Sequence, residues 1–174
     1  MDKFEEKTLS SEIVYNGRIF DITKDSVALS DGLIREREII RHPGGVVICA
    51  QKDNKILMVK QFRYATKNTQ IELPAGRLEY GEDPLEAAKR ELREETGYLA
   101  NDWKSLGYIF TTFGICDEKL YLFKADNLVF DVPEPDEGEI IDCFEIEINE
   151  VHKLIKNGTI NDAKTICAIT RAFL

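Results

Sequence analysis

The sequence predicts an α/β sandwich with a mixed sheet, preceded by a small antiparallel sheet at the amino terminus. Short β-prone stretches separated by turn signals come first, and strand-like stretches interleaved with amphipathic helices follow. The chain has 174 residues, of which 43% are hydrophobic and 32% are charged. This length and composition are typical of one globular domain, or of a domain with a small appendage, that buries a sizeable core.

The amino-terminal stretches are predicted to form an antiparallel meander. Turn signals at Asn16-Gly17 and Ser30-Asp31-Gly32 separate them. The segment His42-Pro43-Gly44-Gly45 then interrupts the pattern and suits a junction. We therefore expect an amino-terminal β meander over residues 1–42 and a main domain over residues 43–174.

The clearest element of the main domain is a helix that begins after Asp83. Asp83 can cap this helix, Pro84 fits its first position and Gly97 suits its exit. Leucine and alanine side chains recur at helical spacing and form its apolar stripe. The other predicted elements are strands at about 46–50, 55–62, 103–112, 119–125 and 140–148, and helices at about 150–156 and 162–173.

Charge and cysteine usage exclude several classes of function. With 32 Asp and Glu against 23 Lys and Arg, the formal charge is -9, and no basic stretch suits nucleic acid or an anionic membrane. The charged amino terminus has no apolar signal core, and the longest apolar runs are far shorter than a membrane span. The four cysteines are enough to form disulfides, but they include no Cys-x-x-Cys pair. Buried thiols in a reducing compartment are therefore favoured over disulfides. The sequence thus predicts a cytoplasmic protein that binds neither nucleic acid nor membrane.

Three carboxylates, those of Glu91, Glu94 and Glu95, share one flank of the predicted helix. At about 100° per residue, Glu95 lies about 40° from Glu91, and Glu94 lies about 60° to the other side. A solvated acidic face is one explanation. The other is a set of hard oxygen ligands for Mg²⁺ or Mn²⁺, which bind few carboxylates and bridge to substrate phosphates. The preceding loops at Gly76 and Gly81 favour the metal site, because glycine lets a cation and a diphosphate lie close to the backbone.

Residues 76–98 resemble the signature sequence of the Nudix hydrolases, the Nudix box, without a gap. Agreement at seven fixed identities with the correct spacing over 23 positions is far beyond coincidence. Tyr98 is the one departure, since the family usually has Ile, Leu or Val there, but it can still fill an apolar site. The fixed identities are Gly76, Glu82, Arg90, Glu91, Glu94, Glu95 and Gly97.

The resemblance implies a Nudix-type α/β/α sandwich and a metal-dependent activity. Nudix hydrolases cleave a nucleoside diphosphate linked to another group, using divalent cations held by the box helix. By similarity Glu91 and Glu95 are the principal metal ligands. Glu94 and the backbone carbonyl of Ala75 would assist them, and Arg90 would orient the carboxylates. The expected cation is Mg²⁺, with Mn²⁺ as the alternative, and it would neutralise the diphosphate and lower the pKa of the attacking water.

Over nearly the whole chain the resemblance is to the ADP-ribose pyrophosphatase branch. Members of this branch are generally homodimers that exchange their amino-terminal sheets, so that one subunit completes the pocket of the other. By that similarity Arg63, with Arg18 and Arg37 supplied by the other subunit, would contact the nucleotide or its phosphates, which suit a guanidinium fork. Surface ion pairs are the alternative for each arginine. The motifs that carry the resemblance are residues 37–46, 59–64, 72–76 and 162–165.

The remaining candidates are acidic residues in loops. Glu82 resembles the loop acid of the family, with a role that is either structural, through the helix amino end, or metal-linked through water. Glu79 resembles a position that meets the terminal sugar, and Glu118 is placed near the metals. A general base is expected in a loop across the pocket, at Glu139 or Glu137, and both stay open. Solvated loop charge is the alternative for these acids.

Phe113 departs from the ADP-ribose enzymes, which commonly have Pro at this point. Pro fixes the loop backbone and Phe does not, so the loop takes another course or Phe113 lines the pocket wall.

The resemblance as a whole predicts a hydrolase of ADP-ribose or a related nucleoside diphosphate sugar. The alternatives are a Nudix hydrolase of a dinucleotide or another nucleotide sugar, a non-catalytic nucleotide-binding sensor, and a plain interaction module.

Overall fold

A computed structural model of the chain describes residues 2–132 and 140–174. The chain divides into two compact units. The first comprises Met1–Gly44 together with Phe110–Lys119, and the second comprises Gly45–Ile109 together with Leu120–Leu174. The first unit therefore contains a segment from the middle of the chain.

The first unit is built on a three-stranded antiparallel sheet. Its strands are β1 (Lys7–Asn16), β2 (Asp21–Ala28) and β3 (Ile34–Arg41), paired in the order β1-β2-β3. The predicted meander is confirmed, and the two predicted turns lie between its strands. The central segment of the chain joins this unit through a parallel bridge between Ile40 and Cys116.

Within the described residues, the second unit contains a seven-stranded sheet and three helices. The strands are β4 (Gly45–Lys52), β5 (Lys55–Arg63), β6 (Asn68–Glu72), β7 (Ala75–Arg77), β8 (Tyr98–Phe110), β9 (Lys119–Phe130) and β10 (Ile141–Glu147), and the helices are α1 (Pro84–Thr96), α2 (Ile148–Lys156) and α3 (Ala163–Phe173). The main strands follow the order β10-β5-β4-β9-β8, while β6 pairs with β5 and β7 pairs with β4. Because β4 is parallel to β9 and antiparallel to β5, the predicted mixed sheet is confirmed.

Strand β4 is buried on both faces. Val46, Ile48 and Ala50 belong to the cluster that includes the apolar stripe of α1. Val47 and Cys49 belong to the cluster that includes α2 and α3. Successive side chains of a strand point to opposite faces, so α1 covers one face of the sheet, and α2 and α3 cover the other. The predicted α/β/α sandwich is confirmed. No helix in the described part of the chain is long and apolar enough to cross a membrane.

All four cysteines are free thiols. Cys49 is buried, and burial raises the pKa of its thiol to about 12. Cys143 is exposed on strand β10. The predicted burial is therefore correct for Cys49 and wrong for Cys143, while Cys116 and Cys167 are half-buried.

Candidate active site

Helix α1 sets the position of the acidic side chains. Asp83 accepts hydrogen bonds from the backbone amides of Leu85 and Glu86 at 2.9 and 3.3 Å, which satisfies two amides that a helix start leaves open. Pro84 occupies the first turn, and Gly97 ends the helix in the left-handed conformation with φ of 73°. The apolar stripe of α1 packs on β4, so the acidic flank of the helix is fixed beside the sheet.

Arg90 joins three of the carboxylates. Its Nε and Nη2 donate to the two oxygens of Glu82 at 2.9 and 3.0 Å. Its Nη1 donates to Glu91 at 2.7 Å and to Glu94 at 3.0 Å. These contacts, chiefly the one with Glu82, raise the pKa of Arg90, and the Arg90 guanidinium lowers the pKa of the Glu82 carboxyl. Arg90 thus bonds Glu91 and Glu94, the carboxylates that the resemblance implies it orients, and Glu82 bonds the same guanidinium.

Two further contacts join α1 to strand β7. Glu95 is buried, and its Oε2 accepts a hydrogen bond from the amide of Ala75 at 3.0 Å. The carboxylate of Glu91 lies directly over Gly76, because a Cβ built on Gly76 would come within 1.9 Å of the Glu91 Cδ. Any larger residue at position 76 would therefore displace the Glu91 carboxylate from this position. The backbone of residues 75–76 and the carboxylates of Glu91 and Glu95 form one compact surface, which we call the carboxylate surface.

The donor set of the carboxylate surface fits a hard divalent cation. Carboxylate and carbonyl oxygens are the ligands that Mg²⁺ and Mn²⁺ take, and the glycine cradle lets a carboxylate approach the backbone. Within residues 2–132 and 140–174, no three acidic, His or Cys side chains are already arranged around a metal position. Glu91 and Glu94 bond Arg90 here, and Glu95 bonds the Ala75 amide. The residues fit the cation by the chemistry of their oxygen donors.

Arg63, which the sequence assigns to the substrate, is held by a buried carboxylate. Its Nε and Nη2 donate to the two oxygens of Glu72, each at 2.8 Å. Lys164 Nζ donates to the same carboxylate at 2.5 Å. Burial opposes the ionisation of Glu72, which is 2% exposed, but Arg63 and Lys164 outweigh it and lower the pKa of Glu72. Arg63 and Lys164 also line a pocket of about 360 Å³.

The two other predicted arginines belong to the first unit. Arg37 makes a bidentate ion pair with Glu6, with nitrogen to oxygen distances of 2.9 and 2.6 Å. Arg18 lines a pocket of about 380 Å³ at the turn between β1 and β2. Arg37 therefore has an ion-pair partner, Glu6, within its own unit, whereas Arg18 borders a pocket.

Phe113 and Glu118 also belong to the first unit. Phe113 is 86% exposed and lines a pocket of about 310 Å³ together with Phe110. A carboxylate oxygen of Glu118 lies 3.5 Å from Nδ1 of His42. Phe113 therefore lines a pocket within its own unit, and its place in the substrate pocket stays a prediction.

Glu79 is the remaining acidic candidate within the described residues. Glu79 is exposed, and its backbone amide donates to the Glu82 carboxylate at 2.9 Å. Glu137 and Glu139, the candidates for the general base, lie outside the described residues.

The sequence did not predict the ion pairs that Glu72 makes with Arg63 and Lys164. Glu72 and Lys164 are buried or nearly so, and neither was assigned a role. A signal was present, because each residue lies in a motif, residues 72–76 or 162–165, that carries the resemblance to the ADP-ribose branch.

The NUDIX domain family matches residues 41–169 of the chain. The chain belongs to the Nudix family. Residues 6–40 of this Nudix protein match a second family, the nucleoside diphosphate sugar hydrolase N-terminal domain.

Known proteins resemble the Nudix protein over almost its whole length. It is 40% identical over 172 residues to an ADP-ribose pyrophosphatase of Bacillus subtilis, covering 97% of this chain and 93% of that protein. It is 41% identical over 169 residues to a methanol dehydrogenase activator of Bacillus methanolicus, covering 95% and 91%. The crystal structure of an ADP compounds hydrolase superposes with a TM-score of 0.86 over 97% of this chain and 92% of that chain, at 23% identity, which supports the fold alone.

The predicted class of enzyme is confirmed. The family match and the relatives identify a Nudix pyrophosphatase. Nudix hydrolases generally need divalent metal ions, which agrees with the donor set of the carboxylate surface.

Replacement of Arg90 by lysine tests how the carboxylates are oriented. Lysine keeps the charge but loses the planar fork that bonds Glu82, Glu91 and Glu94. We expect kcat to fall by about 10 to 100-fold, as for groups that orient metal ligands. Arg93→Lys is the matched control, because Arg93 lies on the same helix and bonds Asp131 at 2.9 Å. Wild-type kcat in the Arg90→Lys variant, measured at saturating metal, would contradict this role.

Proposed function

We propose that this Nudix enzyme is a Mg²⁺-dependent hydrolase that cleaves the diphosphate of ADP-ribose or a closely related nucleoside diphosphate sugar. The products would be a nucleoside monophosphate and a sugar phosphate. The observation that carries the proposal is the carboxylate surface, where Glu91 and Glu95 lie against the backbone of residues 75–76. The 40% identity to an ADP-ribose pyrophosphatase over nearly all of both chains favours ADP-ribose.

The proposal gives the residues of the carboxylate surface distinct roles. Glu91 and Glu95 are the principal ligands of the cation, and Glu94 and the carbonyl of Ala75 assist. When bound, the cation neutralises the diphosphate and supplies an activated water. Arg90 orients the carboxylates of Glu91 and Glu94 through its Nη1, which bonds both. Glu95 is the most rigid ligand, because it is buried and bonded to the Ala75 amide.

The remaining roles concern the substrate and the attacking water. Arg63 contacts the phosphates, and Arg18 and Arg37 of a second subunit contact the nucleotide. Glu79 meets the terminal sugar, Phe113 lines the pocket, and Glu118 lies near the metals and substrate. The general base is Glu139 or Glu137.

A homodimer is part of the proposal, with the amino-terminal domain at 1–42 exchanged between two cytoplasmic subunits. Every residue of β1 is exposed, including four large apolar side chains that are each more than half exposed. A strand that exposes apolar side chains on both faces is typical of a surface that another chain covers. The four side chains are Leu9, Ile13, Val14 and Tyr15. The acidic chain, at -9, disfavours nucleic acid as a further partner.

A second candidate is a Nudix hydrolase of another nucleoside diphosphate derivative, either a dinucleotide or a different nucleotide sugar. Phe113 favours this candidate, since an aromatic ring that is 86% exposed replaces the Pro of the ADP-ribose enzymes. A non-catalytic nucleotide sensor is the third candidate, and it would bind such a compound without cleaving it.

A hydrolysis panel with product identification separates the candidates. ADP-ribose, an ADP-hexose, a GDP-hexose and a diadenosine dinucleotide are each incubated with the enzyme and Mg²⁺, and the products are resolved by ion-exchange chromatography. We expect AMP and ribose 5-phosphate from ADP-ribose, loss of activity with a chelator, and recovery when Mg²⁺ or Mn²⁺ is restored. Faster turnover of another compound would favour the second candidate. Tight binding without cleavage in Mg²⁺ would favour the sensor.

A further inference from the structure

We propose that Glu72 is a positioning residue that holds Arg63 in the orientation in which it meets the substrate phosphates, and that Lys164 is the second cation that keeps Glu72 in place. This inference rests on the proposed function, because it takes the hydrolysis as the activity and Arg63 as the phosphate contact. Neither Glu72 nor Lys164 lies in the Nudix box, residues 76–98.

The orientation of Arg63 follows from the geometry of its ion pair. A guanidinium has five N–H donors in one rigid plane, so fixing one edge of the group fixes the direction of the others. Glu72 takes the edge formed by Nε and Nη2, with two bonds of 2.8 Å. Within the part of the chain that the structure describes, Nη1 bonds no protein group. Arg63 therefore has a pre-oriented donor that its ion pair leaves for a ligand, and its side chain lines the pocket of about 360 Å³.

Glu72 is itself fixed by the first turn of α3. Lys164 Nζ bonds the Glu72 carboxylate at 2.5 Å and Asp162 at 2.9 Å. Asp162 caps α3 by accepting from the Thr165 amide at 3.1 Å. The Thr165 hydroxyl accepts a hydrogen bond from the amide of Leu73, the residue after Glu72, at 2.9 Å. The side chain of Glu72 and the backbone beside it are thus both anchored to the same helix turn.

The anchored segment leads directly to the carboxylate surface. Three residues after Glu72, the Ala75 amide bonds the Glu95 carboxylate at 3.0 Å. The negative charge of Glu95 also contributes to the raised pKa of Arg63, after the larger contribution of the Glu72 hydrogen bonds. Arg63 and the proposed metal ligand Glu95 therefore act on each other electrostatically.

Glu72→Gln tests the proposal because it keeps the shape of the side chain and removes its charge. We expect KM for ADP-ribose to rise and kcat/KM to fall by about 10 to 100-fold, the equivalent of one misdirected hydrogen bond between charged groups. The Mg²⁺ concentration that gives half-maximal activity should not change, because the cation ligands are intact. Glu145→Gln is the matched control, since Glu145 is a strand carboxylate bonded by Lys52 and Lys55 at 2.6 and 3.3 Å, and it should keep wild-type kinetics.

A double-mutant cycle separates positioning from a structural effect. If Glu72 acts through Arg63, then Glu72→Gln in an Arg63→Ala background should lower kcat/KM no further, whereas effects on the fold alone would add. If the Glu72→Gln variant does not fold, the double variant Glu72→Gln/Lys164→Met replaces it. This variant removes the carboxylate charge together with one of its two cations. Its kcat/KM should match that of Arg63→Ala.

Two outcomes would overturn the proposal while the proposed function stands. One is wild-type KM and kcat/KM in the folded Glu72→Gln variant, and the other is full additivity in the cycle. Failure of the wild-type enzyme to cleave any nucleoside diphosphate derivative would instead contradict the proposed function.

Discussion

Glu95→Gln should lower kcat on ADP-ribose by at least about 100-fold, a loss typical of removing one group that stabilises transition-state charge. Glutamine keeps the shape of the side chain, and its carbonyl can still accept the hydrogen bond from the Ala75 amide. The fold should therefore be retained, with little change in Tm. The negative charge proposed to hold the cation is the part that is lost. Steady-state kinetics at several Mg²⁺ concentrations measure the effect.

Glu86→Gln is the control for this variant. Glu86 lies on the same helix, is 63% exposed and pairs with Lys89 at 2.7 Å. Its replacement removes the same charge from α1 without touching the carboxylate surface, so wild-type kinetics are expected. Wild-type turnover in the Glu95→Gln variant would contradict the metal assignment.

Gly76→Ala should lower kcat by a similar factor, about 100-fold, because it displaces the Glu91 carboxylate. The added methyl group would come within 1.9 Å of the Glu91 Cδ. The Glu91 carboxylate accepts a hydrogen bond from Arg90 at 2.7 Å, so its displacement would disturb that contact as well. We also expect the free energy of unfolding to fall by about 1 to 3 kcal/mol, as in other overpacked sites. Steady-state kinetics and chemical denaturation measure the two effects.

Gly158→Ala separates this local clash from a general loss of stability. Gly158 has φ of 81°, and an added Cβ there meets nothing within 4 Å. Alanine at such a position costs about 1 to 2 kcal/mol of backbone strain. The control should therefore be less stable than the wild type but equally active. Equal kinetics for Gly76→Ala and the wild type would show that Glu91 is not needed where the structure places it.

Helix α1 could be predicted from the sequence because its signals are local. Asp83, Pro84 and Gly97 act within a few residues of the helix ends, and the fixed spacing of the box places the carboxylates on one flank. The sandwich could also be predicted, since buried strands and amphipathic helices follow one another along the chain. Strand β8 begins at Tyr98, earlier than predicted, because the chain enters the sheet directly after the helix cap.

The ion pairs of Glu72 with Arg63 and Lys164 could not be predicted in this way. Arg63 and Glu72 are nine residues apart in sequence, and Lys164 and Glu72 are 92 apart. Hydrophobic periodicity reports the face of one element and does not report which side chains of distant elements meet. The packing of the first turn of α3 against residues 72–73 decides that contact, and it is a property of the folded chain.

Binding of Mn²⁺ tests most directly whether the carboxylates of α1 hold the catalytic cation. Electron paramagnetic resonance would measure free Mn²⁺ during titration of the wild type, Glu95→Gln and Glu86→Gln, and hydrolysis of ADP-ribose would be assayed on the same samples. We expect the wild type and Glu86→Gln to bind Mn²⁺ equally and to be equally active, and Glu95→Gln to lose both affinity and turnover. Unchanged Mn²⁺ affinity together with unchanged turnover in Glu95→Gln would contradict the assignment of the metal to this helix.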